Sequence, residues 1–283
     1  MPSAARVTLF TVGGAVLAFG VGSVAITGLI LVSSHDVWAA EQFEFAGDTL
    51  TITSDGGGVH LRPGATAGSV NVDRRTTDSI WGADPEWDMD MTSGTLRLDT
   101  NCPPMYSVSC DGDYDVLVPP EVKYVKVRNT NGSVSIDRIN ALEFDLESDN
   151  GSIKVRDASA GKFKLSSDNG SIRVANTWAW GVEATSDNGS INMTLKNAPD
   201  WVDASSDNGS LKVYVPADGT KYKLTADSDN GSTNVAEDLK DDSSTRTLDL
   251  SSDNGSVTAR RSPETGQPWP VTELPGHPAP PTP

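Results

Sequence analysis

From Phe144 to Val213 apolar and polar residues alternate with a period of two, and one five-residue string interrupts the alternation at regular intervals. Phe144, Leu146 and Ser148 lead into one string; Phe163, Leu165 and Ser167 lead into the next. Val182, Ala184 and Ser186, then Val202, Ala204 and Ser206, repeat the pattern. After the string come Ile153 and Val155, Ile172 and Val174, Ile191 and Met193, and Leu211 and Val213. The interleaved residues are Lys, Arg, Glu, Asp, Ser, Thr or Asn. Such alternation predicts strands with one face inward, and no window carries a helical period. The string is Ser-Asp-Asn-Gly-Ser, at Ser148–Ser152, Ser167–Ser171, Ser186–Ser190, Ser206–Ser210, Ser228–Ser232 and Ser252–Ser256, with a weaker copy at Asn129–Ser133. Asn-Gly is a strong turn signal because both residues accept positive φ cheaply, so each repeat predicts strand, tight corner, strand.

From Asn131 the corner asparagines are 19, 19, 19, 20, 22 and 24 residues apart. A near-constant period predicts a solenoid whose coils bury their apolar faces only against one another. A meander of hairpins would fit the alternation too, but a hairpin loop needs no identical Ser and Asp around it. Stacked coils place each residue over its equivalent, so Asn131, Asn150, Asn169, Asn188, Asn208, Asn230 and Asn254 are expected to form a structural ladder of side-chain amides. The expected fold is all-β: a single-domain β-solenoid, or β-helix, of ~20-residue coils. Asn-Gly-Ser also matches a glycosylation sequon, and Asp-Asn-Gly suggests calcium. The corner reading explains all seven copies at once. Asp227, Asp229 and Gly231 put the glycine too early for a calcium loop. Asp111, Asp113 and Asp115 lack both its Gly and its Glu. No metal and no cofactor is expected.

Residues 46–128 carry looser versions of the same pattern, at Thr49–Leu61 and Met89–Leu98, and read as irregular coils ahead of the regular ones at 129–261. Terminal coils of a solenoid are ordinarily atypical because they cover its ends. Val7 to Ser34 hold no charged residue and are long enough to cross a bilayer. Val37-Trp38-Ala39 resembles a signal-peptidase site, but this apolar stretch is nearly twice the usual signal length. The expected organisation is a cytoplasmic end (1–5), one N-terminal transmembrane helix (6–34), a juxtamembrane linker (35–45), the solenoid (46–261) and a tail (262–283) with eight prolines. Arg6 lies before the helix and Asp36, Glu41 and Glu44 follow it, which predicts a single-pass protein with its N-terminus in the cytoplasm and its domain outside.

Charge narrows the partners. The formal net charge is −17. That argues against nucleic acid and against direct adhesion to anionic lipid. Cys102 and Cys110 are close in sequence, and outside the cell they are expected to pair as a disulfide. No nucleophile motif or phosphate loop is present. Asp84, Glu86, Asp88 and Asp90 could supply paired carboxylates, but among 39 acidic residues such a cluster arises by chance. Trp178, Trp180 and Trp201 sit at bends between repeats, where a tryptophan either stacks on a sugar or a protein partner or covers the core edge.

The repeated Ser-x-Asn-Gly-Ser-Ile/Val turns between alternating strands, behind an apolar N-terminal segment, resemble the bacterial "putative adhesin" family, a domain of largely unknown function. The resemblance covers roughly residues 46–261 and implies a stacked-strand fold, an adhesive role at the cell envelope and no catalytic residues. The expected function is therefore a non-enzymatic, membrane-anchored binding or scaffolding protein whose partner is a cell-wall glycan or a surface protein. The alternatives are an envelope-stress sensor acting through a membrane partner, since related members are associated with envelope-stress operons, and a polysaccharide-active β-helix enzyme.

Overall fold

The computed structural model describes residues 35–78, 86–90, 93–99 and 112–262, and these are strand almost throughout. The expected anchor, the cysteine pair and the proline-rich tail from residue 263 on lie outside the described residues. In chain order the first strands are β1 (His35–Glu44), β2 (Thr49–Ser54), β3 (Gly58–Pro63), β4 (Ser69–Asp78), β5 (Glu86–Asp90), β6 (Thr95–Asp99) and β7 (Gly112–Val118). The regular repeats begin with β8 (Tyr124–Asn129), β9 (Val134–Asp137), β10 (Asn140–Ser148), β11 (Ile153–Arg156), β12 (Ser159–Ser167) and the long β13 (Ile172–Ser186). They continue with β14 (Ile191–Leu195), β15 (Trp201–Ser206), β16 (Leu211–Val215), β17 (Lys223–Ser228), β18 (Thr233–Val235), β19 (Thr247–Ser252) and β20 (Val257–Arg261). A single 3-10 turn at Glu237–Leu239 is the one helical element among the described residues.

Each regular coil contributes one strand that runs into the Ser-Asp-Asn-Gly-Ser corner and one that leaves it. The entry strands stack in parallel as one sheet and the exit strands as another, with the core between them. Register is residue over residue: Phe144 lies beside Phe163 and then Val182, and Ile153 beside Ile172 and then Ile191. Alternation buries one column set completely, and the rings of Phe144 and Phe163 stack at 5.2 Å with only 8° between their planes. Each fully buried Phe, Ile or Leu in these columns contributes roughly 1.5–3 kcal/mol relative to its exposed state.

The order of coils in space differs from their order in the chain at both ends. The exit sheet runs β7, β3, β9 at one end and β16, β20, β18 at the other. The entry sheet agrees, with β6, β2, β8 and then β15, β19, β17. The first coil (β2 and β3) and the last (β19 and β20) are therefore one position inside the stack, and their chain neighbours are outermost. The longer last intervals, 22 and 24 residues, follow from this crossing. The returning segment carries buried Tyr222 and Leu239 over the end of the core, where the Tyr222 amide donates to the Leu239 carbonyl at 2.7 Å.

Two sequence expectations are corrected. Residues 35–44 form strand β1 rather than a linker, paired antiparallel with β4, which is itself antiparallel to β7. Residues 46–128 are not simply degenerate coils. They supply two coils, β2/β3 and β6/β7, plus the antiparallel strands β4 and β5, which together with β1 close that end of the stack. Antiparallel closure ends the parallel ladder, because the next strand no longer matches a coil.

Truncation after Ser244 is expected to remove an interior coil and strip protection from residues 222–236 as well. Amide hydrogen exchange reads this directly; unchanged protection there would instead indicate a stack in chain order.

Candidate functional site

The corner is the most repeated polar feature, and its hydrogen bonds run from coil to coil. Asn150 Nδ2 donates to Asn131 Oδ1 at 3.1 Å, Asn169 to Asn150 at 3.0 Å and Asn188 to Asn169 at 3.0 Å. The series continues from Asn208 to Asn188 at 3.0 Å, Asn254 to Asn208 at 3.0 Å and Asn230 to Asn254 at 3.1 Å. It starts at the Asp55 carbonyl, which accepts from Asn131 at 3.1 Å. All seven asparagines are thus in one line, in spatial rather than chain order.

A second line runs beneath it. Ser148, Ser167, Ser186, Ser206, Ser252 and Ser228 are buried or half-buried, and each Oγ donates to the glycine carbonyl of the preceding coil, at 2.7–3.0 Å. Asn129 takes the serine's place in its coil, donating to the Gly57 carbonyl at 2.8 Å. The repeated serine is explained by these bonds. The repeated glycine is not explained by positive φ, as its sequence suggested: Gly151, Gly170, Gly189, Gly209, Gly231 and Gly255 lie outside that region. A Cβ on Gly189 would meet the Gly170 carbonyl oxygen at 2.2 Å, and the other five would meet theirs at 2.0–2.2 Å. Close stacking of backbones excludes every other residue. The left-handed residues are at the opposite corner instead: Arg138, Asp157 and Asn176, with φ of 56°, 51° and 54°.

Trp178, Trp180 and Trp201 are all half-buried. Trp201 pairs in register with Gly181 and fills the space above it, since a Cβ on Gly181 would meet the indole at 2.2 Å. Lys162 Nζ lies 5.7 Å from that ring's centroid while also pairing with Glu183 at 2.9 Å. Trp180 adjoins the same place through its carbonyl, which accepts from the Asp200 amide at 2.7 Å. Trp178, on the same strand as Trp180, is in register with Ser159, and its indole Nε1 is enclosed without a partner. Trp201 therefore covers backbone, and Trp178 is enclosed at its ring nitrogen. The exposed large apolar residue among those described is Trp38 on β1, at 59%, with Arg75 5.1 Å from its ring centroid.

Charge is divided between the two faces. Outside the entry sheet, acids and bases pair across coils: Arg128 with Asp145 at 2.9 Å and Glu147 at 2.7 Å, and Lys162 with Glu183. Further along this face Glu183, Asp203 and Asp249 stand in successive coils. Partial burial, with Asp249 and Glu183 beside it, pushes the Asp203 carboxyl above its usual range. Outside the exit sheet the column one residue beyond the core position holds Lys154, Arg173, Asn192 and Lys212. Beside it stand Ser152, Ser171, Ser190 and Ser210, and the two columns line a groove of about 530 Å³. The sequence carried a signal for these cations, namely a base at the same position after the corner in three of four repeats. Read singly, each of these bases is indistinguishable from any polar residue on the solvent side of a strand.

The family described as Toastrack DUF4097 matches residues 48–260. The chain belongs to that family. None of the curated proteins matches it. Among solved structures, this Toastrack chain is similar to a "putative adhesin" from Bacteroides fragilis, at 14% identity over 80% of this chain and 97% of that one, with a TM-score of 0.55. It also matches a "putative adhesin" from Parabacteroides merdae at 10% identity, over 80% and 96% of the two chains, with a TM-score of 0.46. The first likeness shows a shared fold.

Gly189→Ala is expected to lower unfolding free energy by about 3 kcal/mol, the upper part of the overpacking range. Ser186→Ala, which leaves the Gly170 carbonyl without its side-chain donor, should lower it by about 1–3 kcal/mol. Urea titration measures both. Asp203 gives a separate test. Its folded pKa is raised above 3.8, so the stability it contributes is complete below pH 3.8 and is lost as pH rises through the folded value. Asp203→Asn should therefore raise the melting temperature at pH 7 and leave it unchanged below pH 3.8.

Proposed function

We propose that this chain is a non-enzymatic, membrane-anchored binding or scaffolding protein that presents its coil outside a bacterial cell. One observation carries the reading. Side chains stand in straight columns on the outward face of each sheet, at the ~4.8 Å spacing of strands, and continuous ladders hold them in place. A surface of this kind meets an extended partner at several equivalent points without ordering itself first, which lowers the entropy lost on binding. Repeat stacks generally use such extended surfaces for recognition. The likeness to a solved "putative adhesin" supports the same reading at the level of fold. The apolar Val7–Ser34 segment, with Arg6 before it and acids after it, supports the anchor and its orientation.

The purified full chain, in detergent and fluorescently labelled, is expected to bind intact bacterial cells or an immobilised glycan panel saturably, with competition by unlabelled protein. Absence of saturable binding to both would overturn the proposal.

A further inference from the structure

We propose that the exit-sheet groove along Lys154, Arg173 and Lys212 is a binding site for a linear acidic polysaccharide. This deepens the binding role proposed above and rests on it.

The argument starts from charge that the fold leaves unanswered. In a chain of net charge −17, Lys154, Arg173 and Lys212 are exposed, and among the described residues no ion pair or hydrogen bond answers their side chains. Lys154 and Arg173 occupy paired positions on adjacent parallel strands. Like charges placed directly opposite each other weaken a sheet. Elsewhere the same kind of outward position is neutralised, as by Asp145 and Glu147 at Arg128, Glu183 at Lys162 and Asp137 at Arg156. A column in which Lys154 stands beside Arg173 without a paired acid is suited to an anion from outside.

The shape and the remaining donors narrow the ligand. The groove crosses four successive coils, roughly 15 Å at sheet spacing. That length suits a polymer rather than a single small ion. The cations are interrupted at Asn192, so the rungs read base, base, amide, base. Beside each rung is a serine hydroxyl, from Ser152, Ser171, Ser190 or Ser210. A polysaccharide that carries charged groups with hydroxyls between them matches this mixture: the bases take its anionic groups and the serines and Asn192 take its hydroxyls. Nucleic acid fits less well, because the groove presents no aromatic side chain for base stacking. The corner aspartates Asp149, Asp168, Asp187 and Asp207 each precede a groove serine by three residues, which disfavours a densely charged polymer or an anionic bilayer.

The test uses the full chain in detergent against polygalacturonate, hyaluronate and heparin, with neutral amylose, duplex DNA and inorganic sulfate as comparisons. At least one acidic polysaccharide should bind, and amylose should not. Replacing Lys154, Arg173 and Lys212 together by Ala should weaken that binding at least tenfold. Replacing Lys126, Lys164 and Lys223 by Ala removes equal charge from the opposite face and should change binding less than twofold. Removing mutually repelling cations should leave the melting temperature unchanged or raised, so lost binding would not reflect unfolding. Equal loss in both triple variants would overturn the groove, as would equal or tighter binding of DNA, or sulfate binding that accounts for the whole effect as an isolated ion. If cells or neutral glycans are bound while none of the acidic polysaccharides is, the groove assignment fails and the binding role stands. If nothing is bound at all, both fail.

Discussion

Contact between successive glycine corners sets the geometry of the molecule. The backbones pass so closely that a Cβ would fall about 2 Å from the next carbonyl oxygen, and that same oxygen accepts the serine hydroxyl of the adjacent coil. One approach distance thus selects both residues of the motif. A larger side chain would push the coils apart, and a missing hydroxyl would leave a carbonyl in the interior short of a partner. Once the corners are fixed in register, the strands on either side have no freedom to slip. A one-residue slip would turn every core side chain outward. The asparagine amides and the apolar columns then fall into line as a consequence.

Fixed corners also explain how the ends are built. A parallel stack has no intrinsic stopping point, since its last coil is as good a template as any other. At one end the chain turns antiparallel, with β4, β5 and β1 replacing further coils. At the other, a shorter and more exposed coil, β17 and β18, is outermost, while the better-packed β19 and β20 lie inside it. Both terminal coils of the repeat region are held between neighbours on two sides. Fraying inward from β20 therefore has to break two interfaces, with β16 and with β18, rather than one.

The rigid frame leaves the outward positions free to vary, and their variation is organised. The entry face balances acids against bases, and it tolerates one strained carboxylate at Asp203. The exit face leaves Lys154, Arg173 and Lys212 unpaired among the described residues, while Arg156 is held by Asp137. The strong overall acidity of the chain hides this division, because net charge sums over faces that look in opposite directions. The tryptophans at the bends show the converse: all three are half-buried, and Trp201, beside aspartate in sequence, packs over Gly181.

Much of this was legible in the residues. The period, the alternation and the identical corners determined an all-β coil and the line of asparagines, because a feature repeated every 19 or 20 residues can be satisfied only by stacking equivalents. Other features depended on the third dimension. The role of glycine could not be told from turn preference, since a demand for positive φ and a lack of room for Cβ select the same residue. Coil order was hidden because identical corners stack equally well in either sequence; only the lengths of the connecting segments and the burial of Tyr222 and Leu239 select the crossing. The strand at residues 35–44 needed β4 to pair with. The groove, likewise, consists of residues 19 or 20 positions apart that are unremarkable singly and become one surface only when the coils bring them side by side. The sequence by itself determined the repeating unit, whose chemistry is local. The tertiary structure alone decided how units are ordered and what faces what, because those follow from contacts between segments distant in the chain.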